Sequence, residues 1–104
     1  GVLFADFVGF SKIAEKLTPQ QLVSELDTCF QAFDQIIAKY NLEKIKTIGD
    51  AYMVAGGLPN GDGSQLRNMI EAARDMQLWL AEWNSERDKS GKPRFEARIG
   101  IHRG

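Results

Sequence analysis

Apolar residues run along this chain in two rhythms. Val2 to Phe7 is a short apolar run interrupted only by Asp6 and closed by Gly9, the pattern of a buried strand. Ser11 is placed to cap a short helix over Lys12 to Leu17, with Ile13, Ala14 and Leu17 on one face. Thr18-Pro19-Gln20-Gln21 then starts a second helix, with Thr18 as N-cap, Pro19 at the first helical position and Gln21 as capping-box partner. From there Leu22, Leu26, Cys29, Phe30, Phe33, Ile37 and Tyr40 form one helical stripe, and Asn41 is a plausible stop.

The rhythm then changes to alternation. Glu43 to Ile48 puts Lys44 and Lys46 on one side and Ile45 and Thr47 on the other. A tight turn at Ile48-Gly49-Asp50-Ala51 leads into a second strand, Ala51 to Ala55. Gly56 to Gly63 is a loop by composition. Ser64 is a candidate cap for the last helix, whose stripe is Leu66, Met69, Ile70, Ala73, Met76, Leu80 and Trp83. That helix is expected to fade into a polar turn from Asn84 to Lys92, closed by Pro93. Phe95 to His102 is a final strand, with Phe95, Ala97, Ile99 and Ile101 on one face and Arg98 on the other. The order strand, helix pair, strand, strand, helix, strand is the split βαβ pattern. The expected class is α+β, a ferredoxin-like (βααββαβ) antiparallel sheet with helices packed on one face and the first strand bordering the second.

Composition narrows the picture. At 104 residues the chain is one domain's worth, and 43% hydrophobic with 26% charged residues is an ordinary globular mix. A net charge of -1, with Lys and Arg dispersed, argues against nucleic acid or an anionic membrane surface as a bulk partner and leaves room for a local phosphate site. The single cysteine, Cys29, lies in an apolar stripe and reads as a buried small hydrophobe. One Cys and one His cannot build a zinc cluster. No apolar run reaches the ~20 residues that span a bilayer, so this segment is expected to make no membrane contact. A reducing, cytoplasmic setting is the expectation. The abrupt ends read as a piece of a longer protein, whose membrane or sensor regions would lie elsewhere.

Candidate chemistry centres on two carboxylates. Asp6 is a charge near the end of a buried strand, where a lone carboxylate is costly, although turn or capping roles are equally ordinary for such an Asp. Asp50, in a Gly-Asp turn, is by itself better explained by turn conformation. Brought together at one end of the sheet, the pair would need a cation or a proton between them, and oxygen donors without His or Cys suit Mg²⁺ or Mn²⁺. Phe7-Val8-Gly9-Phe10-Ser11, a strand, a glycine and a helix start, could present free amides to an anion beside that cation. Lys46 lies close enough to the Asp50 turn to reach a ligand, whereas Lys44 reads as a solvated strand residue. Arg98, on a strand expected to be internal, is a further candidate. His102 has no nucleophile partner and reads as structural. Trp79 and Trp83 read as core or interface.

At this point the words become those of a family. Phe4-Ala5-Asp6-Phe7-Val8-Gly9-Phe10, the run Glu43 to Met53, Gly57-Leu58-Pro59 and Arg98 to Gly104 resemble, in order and spacing, the signatures of class III adenylyl and guanylyl cyclases. The resemblance covers essentially residues 1–104 and implies the N-terminal part of a cyclase catalytic domain. It implies that Asp6 and Asp50 hold two Mg²⁺ or Mn²⁺ ions, with the Phe7 carbonyl as a further ligand. One ion would activate the ribose 3′-hydroxyl and the other would hold the outer phosphates. By the same resemblance the Gly9, Phe10 and Ser11 amides cradle the triphosphate, Arg98 contacts it, and Lys46 selects the base. A lysine there resembles adenylyl cyclases, because Lys only donates and so suits adenine N1.

The implied reaction is ATP to 3′,5′-cyclic AMP and pyrophosphate. The implied partner is a second cyclase domain, in a homodimer or pseudo-dimer, that supplies the ribose and transition-state Asn and Arg absent from these residues. The resemblance therefore implies that the fragment alone is inactive. A guanylyl cyclase is the competing enzyme, and a catalytically silent dimerisation or nucleotide-sensing module is the competing non-enzyme. A diguanylate cyclase ranks lower, since its glycine-glycine-acid-acid hairpin is not found at Ile48-Gly49-Asp50-Ala51.

Overall fold

Alternation within the first strand decides how the layers stack. In the computed structural model, which describes residues 2–48, 51–55 and 64–102, β1 (Val2–Val8) buries Leu3, Ala5 and Phe7 and turns Val2, Phe4 and Asp6 to the other side. The elements are β1, α1 (Phe10–Glu15), α2 (Pro19–Lys39), β2 (Glu43–Ile48), β3 (Ala51–Ala55), α3 (Ser64–Lys89) and β4 (Glu96–His102). The strands form an antiparallel sheet in the order β2-β3-β1-β4. This is the expected α+β arrangement, with one correction. β1 borders β3 and β4, not β2. The hairpin folds β3 inward against β1 and leaves β2 outside. β4, expected to be internal, is an edge among the described strands.

The core lies between one sheet face and the two long helices. Leu3, Phe33, Tyr52, Val54, Met69, Met76 and Phe95 are fully enclosed there. Phe7 sits at its aromatic end, 5.4 Å from Phe95 edge-on and 6.1 Å from Phe30. The Trp79 and Trp83 rings stack at 4.9 Å, and each also meets a core ring, Phe33 or Phe95, so both belong to the packing. Cys29 is fully buried, and burial pushes its thiol up to about 12.

The helix signals hold for α2. Thr18 accepts from the Gln21 amide while the Gln21 side chain accepts from the Thr18 amide, a complete capping box with Pro19 behind it. The helix ends where Asn41 takes the left-handed conformation (φ 57°). Two boundaries differ from expectation. α1 begins at Phe10 with Gly9 as its N-cap, and no side chain caps it, so Ser11 is inside the helix. α3 continues to Lys89 through the segment expected to be a turn, because two polar residues carry its inner face onward. Ser64 is the first residue of α3, and the cap proposed for its side chain lies outside the described residues.

Those two residues are Asn84 and Arg87, both 3% exposed. The Asn84 amide donates to the Phe95 carbonyl and accepts from the Phe95 N–H, each at 2.8 Å. Arg87 pairs with Glu25 of α2, donates to the Pro93 carbonyl at 2.7 Å and lies over the Trp83 and Phe95 rings. Together they tie α2, α3 and the entry to β4. Replacing Asn84 with Leu strands both backbone groups of Phe95 in the core. It should cost about 2–6 kcal/mol of unfolding free energy in a urea titration, at ~1–3 kcal/mol for each of the two buried unsatisfied groups. Ordinary surface-like losses below ~0.5 kcal/mol would show that the link is not structural. Cys29 should stay unreactive to a disulfide reagent until the chain unfolds.

Candidate active site

Asp6 and Arg98 meet at one end of the sheet, on the face away from the helices. Asp6 faces Ala51 on one side and Arg98 on the other. Ala51 is next in the chain to Asp50, which with Gly49 lies outside the described residues. Register alone therefore brings Asp6 to the hairpin end where Asp50 belongs. The Arg98 guanidinium Nη2 is 3.5 Å from Asp6 Oδ2. The Asp6 side chain is 37% exposed and that of Arg98 75%.

β1 then enters α1 through Gly9, at φ 65° and ψ 32°, a left-handed conformation that a side chain makes costly. The Gly9 carbonyl accepts the Lys12 and Ile13 amides at 3.1 and 3.3 Å. The Phe10 and Ser11 amides belong to the first turn, which has no preceding helical carbonyl to bond. An open cleft of about 340 Å³ adjoins this turn, lined by Val8, Gly9, Lys12, Lys16, Arg94 and Glu96, so the helix entry sits in a largely cationic setting. The Phe7 side chain is anchored in the core rings, which fixes the backbone between Asp6 and Gly9.

β2 contributes less simply than its alternation predicts. A register shift between Lys44 and Lys46 places Lys44 opposite Val54 and Lys46 opposite Met53. The strict alternation that put both lysines on one side is thereby broken. Lys44 is exposed, as expected of a solvated strand residue. It pairs with Asp34 of α2 at 3.4 Å and lies 5.7 Å from the Tyr52 ring. Tyr52 donates its hydroxyl to the same Asp34, and burial first, then that carboxylate, hold the phenol protonated well above its usual range. Lys46 stands in the cross-strand row Lys46, Met53, Phe4, Gly100, beside the row Ile48, Ala51, Asp6, Arg98.

Gly100 has its own reason in that row. A β-carbon there would come within 2.4 Å of the Phe4 ring, which lies across β4 and stacks on His102 at 5.9 Å. Phe4, with the half-buried Val2, Ala51, Met53 and Ala55, gives the free face of the sheet an apolar floor next to Asp6.

A hard divalent cation fits what is described: a carboxylate on an accessible sheet face, one loose cationic contact, and no soft donor beside it. Among the described residues no group of three or more His, Cys, Asp or Glu converges.

A cationic helix entry follows the Asp6–Arg98 pair at the end of β1 in a four-stranded antiparallel sheet. The whole chain, residues 1–104, matches the adenylate and guanylate cyclase catalytic domain family, and it belongs to that family. It is 38% identical over 104 residues to the receptor-type guanylate cyclase gcy-23 of Caenorhabditis elegans, covering 99% of this chain and 10% of that protein. It is equally 38% identical over 103 residues to an adenylate cyclase of Mycobacterium tuberculosis, covering 99% of this chain and 22% of that protein. Its fold superposes on the crystal structure of the adenylyl cyclase CyaB from P. aeruginosa with a TM-score of 0.87 at 25% identity, over 96% of this chain and 53% of that one. The chain thus spans about half of that solved structure and a smaller part of the relatives.

Sequence reasoning missed Asn84, Arg87 and the Asp34–Lys44–Tyr52 group. Each is a polar residue whose partner lies far along the chain, and no local pattern marks it. What a glycine supplies at position 9 is the left-handed turn and not steric room, since nothing lies within 4 Å of a β-carbon built there. Gly9→Val should therefore cost ~1–2 kcal/mol in thermal or urea unfolding, and Gly9→Asn less, because Asn tolerates the left-handed region. Equal costs for the two would point instead to a steric role.

Proposed function

We propose that this chain supplies the metal- and triphosphate-binding half of an adenylyl cyclase site, and that the protein containing it converts ATP to 3′,5′-cyclic AMP and pyrophosphate. We take residues 1–104 as part of one class III catalytic domain. The observation that carries the proposal is the cross-strand placement of Asp6, opposite Ala51 of the hairpin and opposite Arg98. In this reading Asp6, Asp50 and the Phe7 carbonyl hold two Mg²⁺ or Mn²⁺ ions. When bound, the ions supply Lewis-acid activation of the ribose hydroxyl and neutralise charge at the phosphates. The Gly9, Phe10 and Ser11 amides and the Arg98 guanidinium orient the phosphate chain, and the rigid turn at Gly9 holds those amides without reorganisation.

Family membership leaves ATP and GTP open, since relatives of both kinds stand at the same identity. The choice of ATP rests on Lys46, two residues along β2 from Ile48, which pairs with Ala51 at the hairpin. An ammonium donates only. It matches the N1 acceptor of adenine and opposes the N1–H of guanine. A second cyclase domain is the proposed partner, covering the apolar floor around Phe4 and Met53 and completing the site. A face exposed to water in an antiparallel sheet ordinarily alternates to polar residues, whereas here β1 and β3 present Val2, Phe4, Ala51, Met53 and Ala55 beside Asp6. The proposed setting is cytoplasmic. No described helix is long and apolar enough to cross a membrane.

The test is turnover of ATP and GTP by the protein containing this chain, with Mn²⁺. ATP should be preferred, and Lys46→Glu should lower the ATP-to-GTP ratio of kcat/KM by at least ~10-fold, about 1.4 kcal/mol. Preference for GTP without the substitution would make it a guanylyl cyclase. Turnover of neither would make it a silent module.

A further inference from the structure

Asp6 sits between two cationic claims. Across β4 lies Arg98, whose Nη2 is 3.5 Å from Oδ2 of the carboxylate. Across β3 lies Ala51, at the hairpin end where the reading above puts the metal. Neither neighbour can drift away. β1 and β4 are in register over seven consecutive pairs, from Val2 opposite His102 to Val8 opposite Glu96. Directly opposed residues in such a ladder keep their β-carbons ~4.5–5.5 Å apart. The carboxylate is the more enclosed member of the pair and the guanidinium the more exposed one. Among the described residues Arg98 has no other ion pair.

We propose that Arg98 and a divalent cation compete for the Asp6 carboxylate, so that loading the cation releases the guanidinium to an anionic phosphate chain. The proposal rests on Asp6 being a metal ligand and adds an order to the site. A guanidinium and a divalent ion repel one another when they share one half-covered carboxylate. As the cation takes Asp6, Arg98 loses its acceptor and, with its exposed side chain, turns to the next anion within reach. Cation and phosphate therefore assist each other, and by linkage the assistance is reciprocal. The ion pair is a single long contact between exposed groups, so it holds Arg98 only weakly and a divalent ion displaces it readily. Without that pairing, a free guanidinium beside the metal position would instead repel the cation at all times.

The test uses Mn²⁺ alone, followed by electron paramagnetic resonance of the free ion, with the complete chain and no nucleotide. Arg98→Gln removes the competitor and should tighten Mn²⁺ binding about two- to five-fold, the range expected for an exposed ion pair. Lys39→Gln, which removes a cation paired with Asp75 on the helices away from this face, should leave it unchanged. Adding inorganic tripolyphosphate should tighten Mn²⁺ in the unmodified chain more than in Arg98→Gln. Mg²⁺ should also move the Arg98 Nε–H nuclear resonance toward its position in Asp6→Asn, which lacks the charge that holds it.

Unchanged or weaker Mn²⁺ binding in Arg98→Gln overturns the competition, as does equal tightening in Lys39→Gln or an Arg98 resonance that Mg²⁺ does not move. If Asp6→Asn leaves Mn²⁺ affinity unaltered, the metal reading itself fails. If Asp6→Asn weakens Mn²⁺ while Arg98→Gln does not tighten it, only the competition fails.

Discussion

β1 is hydrogen-bonded along both edges, to β3 on one side and β4 on the other, and the placement of Asp6 against Ala51 and Arg98 follows from that double pairing. Its period of two sends Leu3, Ala5 and Phe7 into the helical core and sends Phe4 and Asp6 to the free face. A slip of one residue would bury the carboxylate among aromatic rings and expose Phe7. The register is therefore enforced by the cost of burying a charge on one side and by the packing of Phe7 with Phe30 and Phe95 on the other. Asp6 is held where it is by hydrophobic contacts that it does not itself make.

The supporting layer is polar at its most critical points. Asn84 satisfies both backbone groups of Phe95, and Arg87 ties Glu25, Pro93 and two aromatic rings into one cluster. These contacts fix where the chain enters β4, and hence where Arg98 falls relative to Asp6. On the opposite side of the sheet the Phe4 ring can lie over β4 only because residue 100 has no side chain. Packing on one face and an apolar floor on the other leave a narrow strip of polar chemistry at the end of β1.

Much of this was legible in the residue pattern. The capping box at Thr18, the α2 stripe and the alternation of β4 each state their element locally, and the class of fold follows from their order. What was not legible depends on contacts between distant residues. Sequential neighbours in a hairpin do not reveal which strand turns inward, so β3, not β2, takes the place beside β1. The irregularity between Lys44 and Lys46 has no local signal, and it separates two lysines that plain alternation would pair. The extension of α3 past Asn84 was hidden because buried polar residues look like a turn until their partners are known. Of the site, Asp6 and Arg98 lie opposite one another, a pairing that the residue pattern does not state. The Ser11 cap does not form, and the turn is made by Gly9. Asp50 lies outside the described residues and enters the account through its neighbour Ala51.

The central claim is that Asp6 and Asp50 share a divalent cation at the hairpin end of β1. The most direct measurement is anomalous scattering from crystals of this chain grown with Mn²⁺. The account predicts a peak bonded to a carboxylate oxygen of Asp6 and to Asp50, with Arg98 turned away from Asp6. Mn²⁺ bound elsewhere while Asp6 keeps its contact with Arg98 would contradict it.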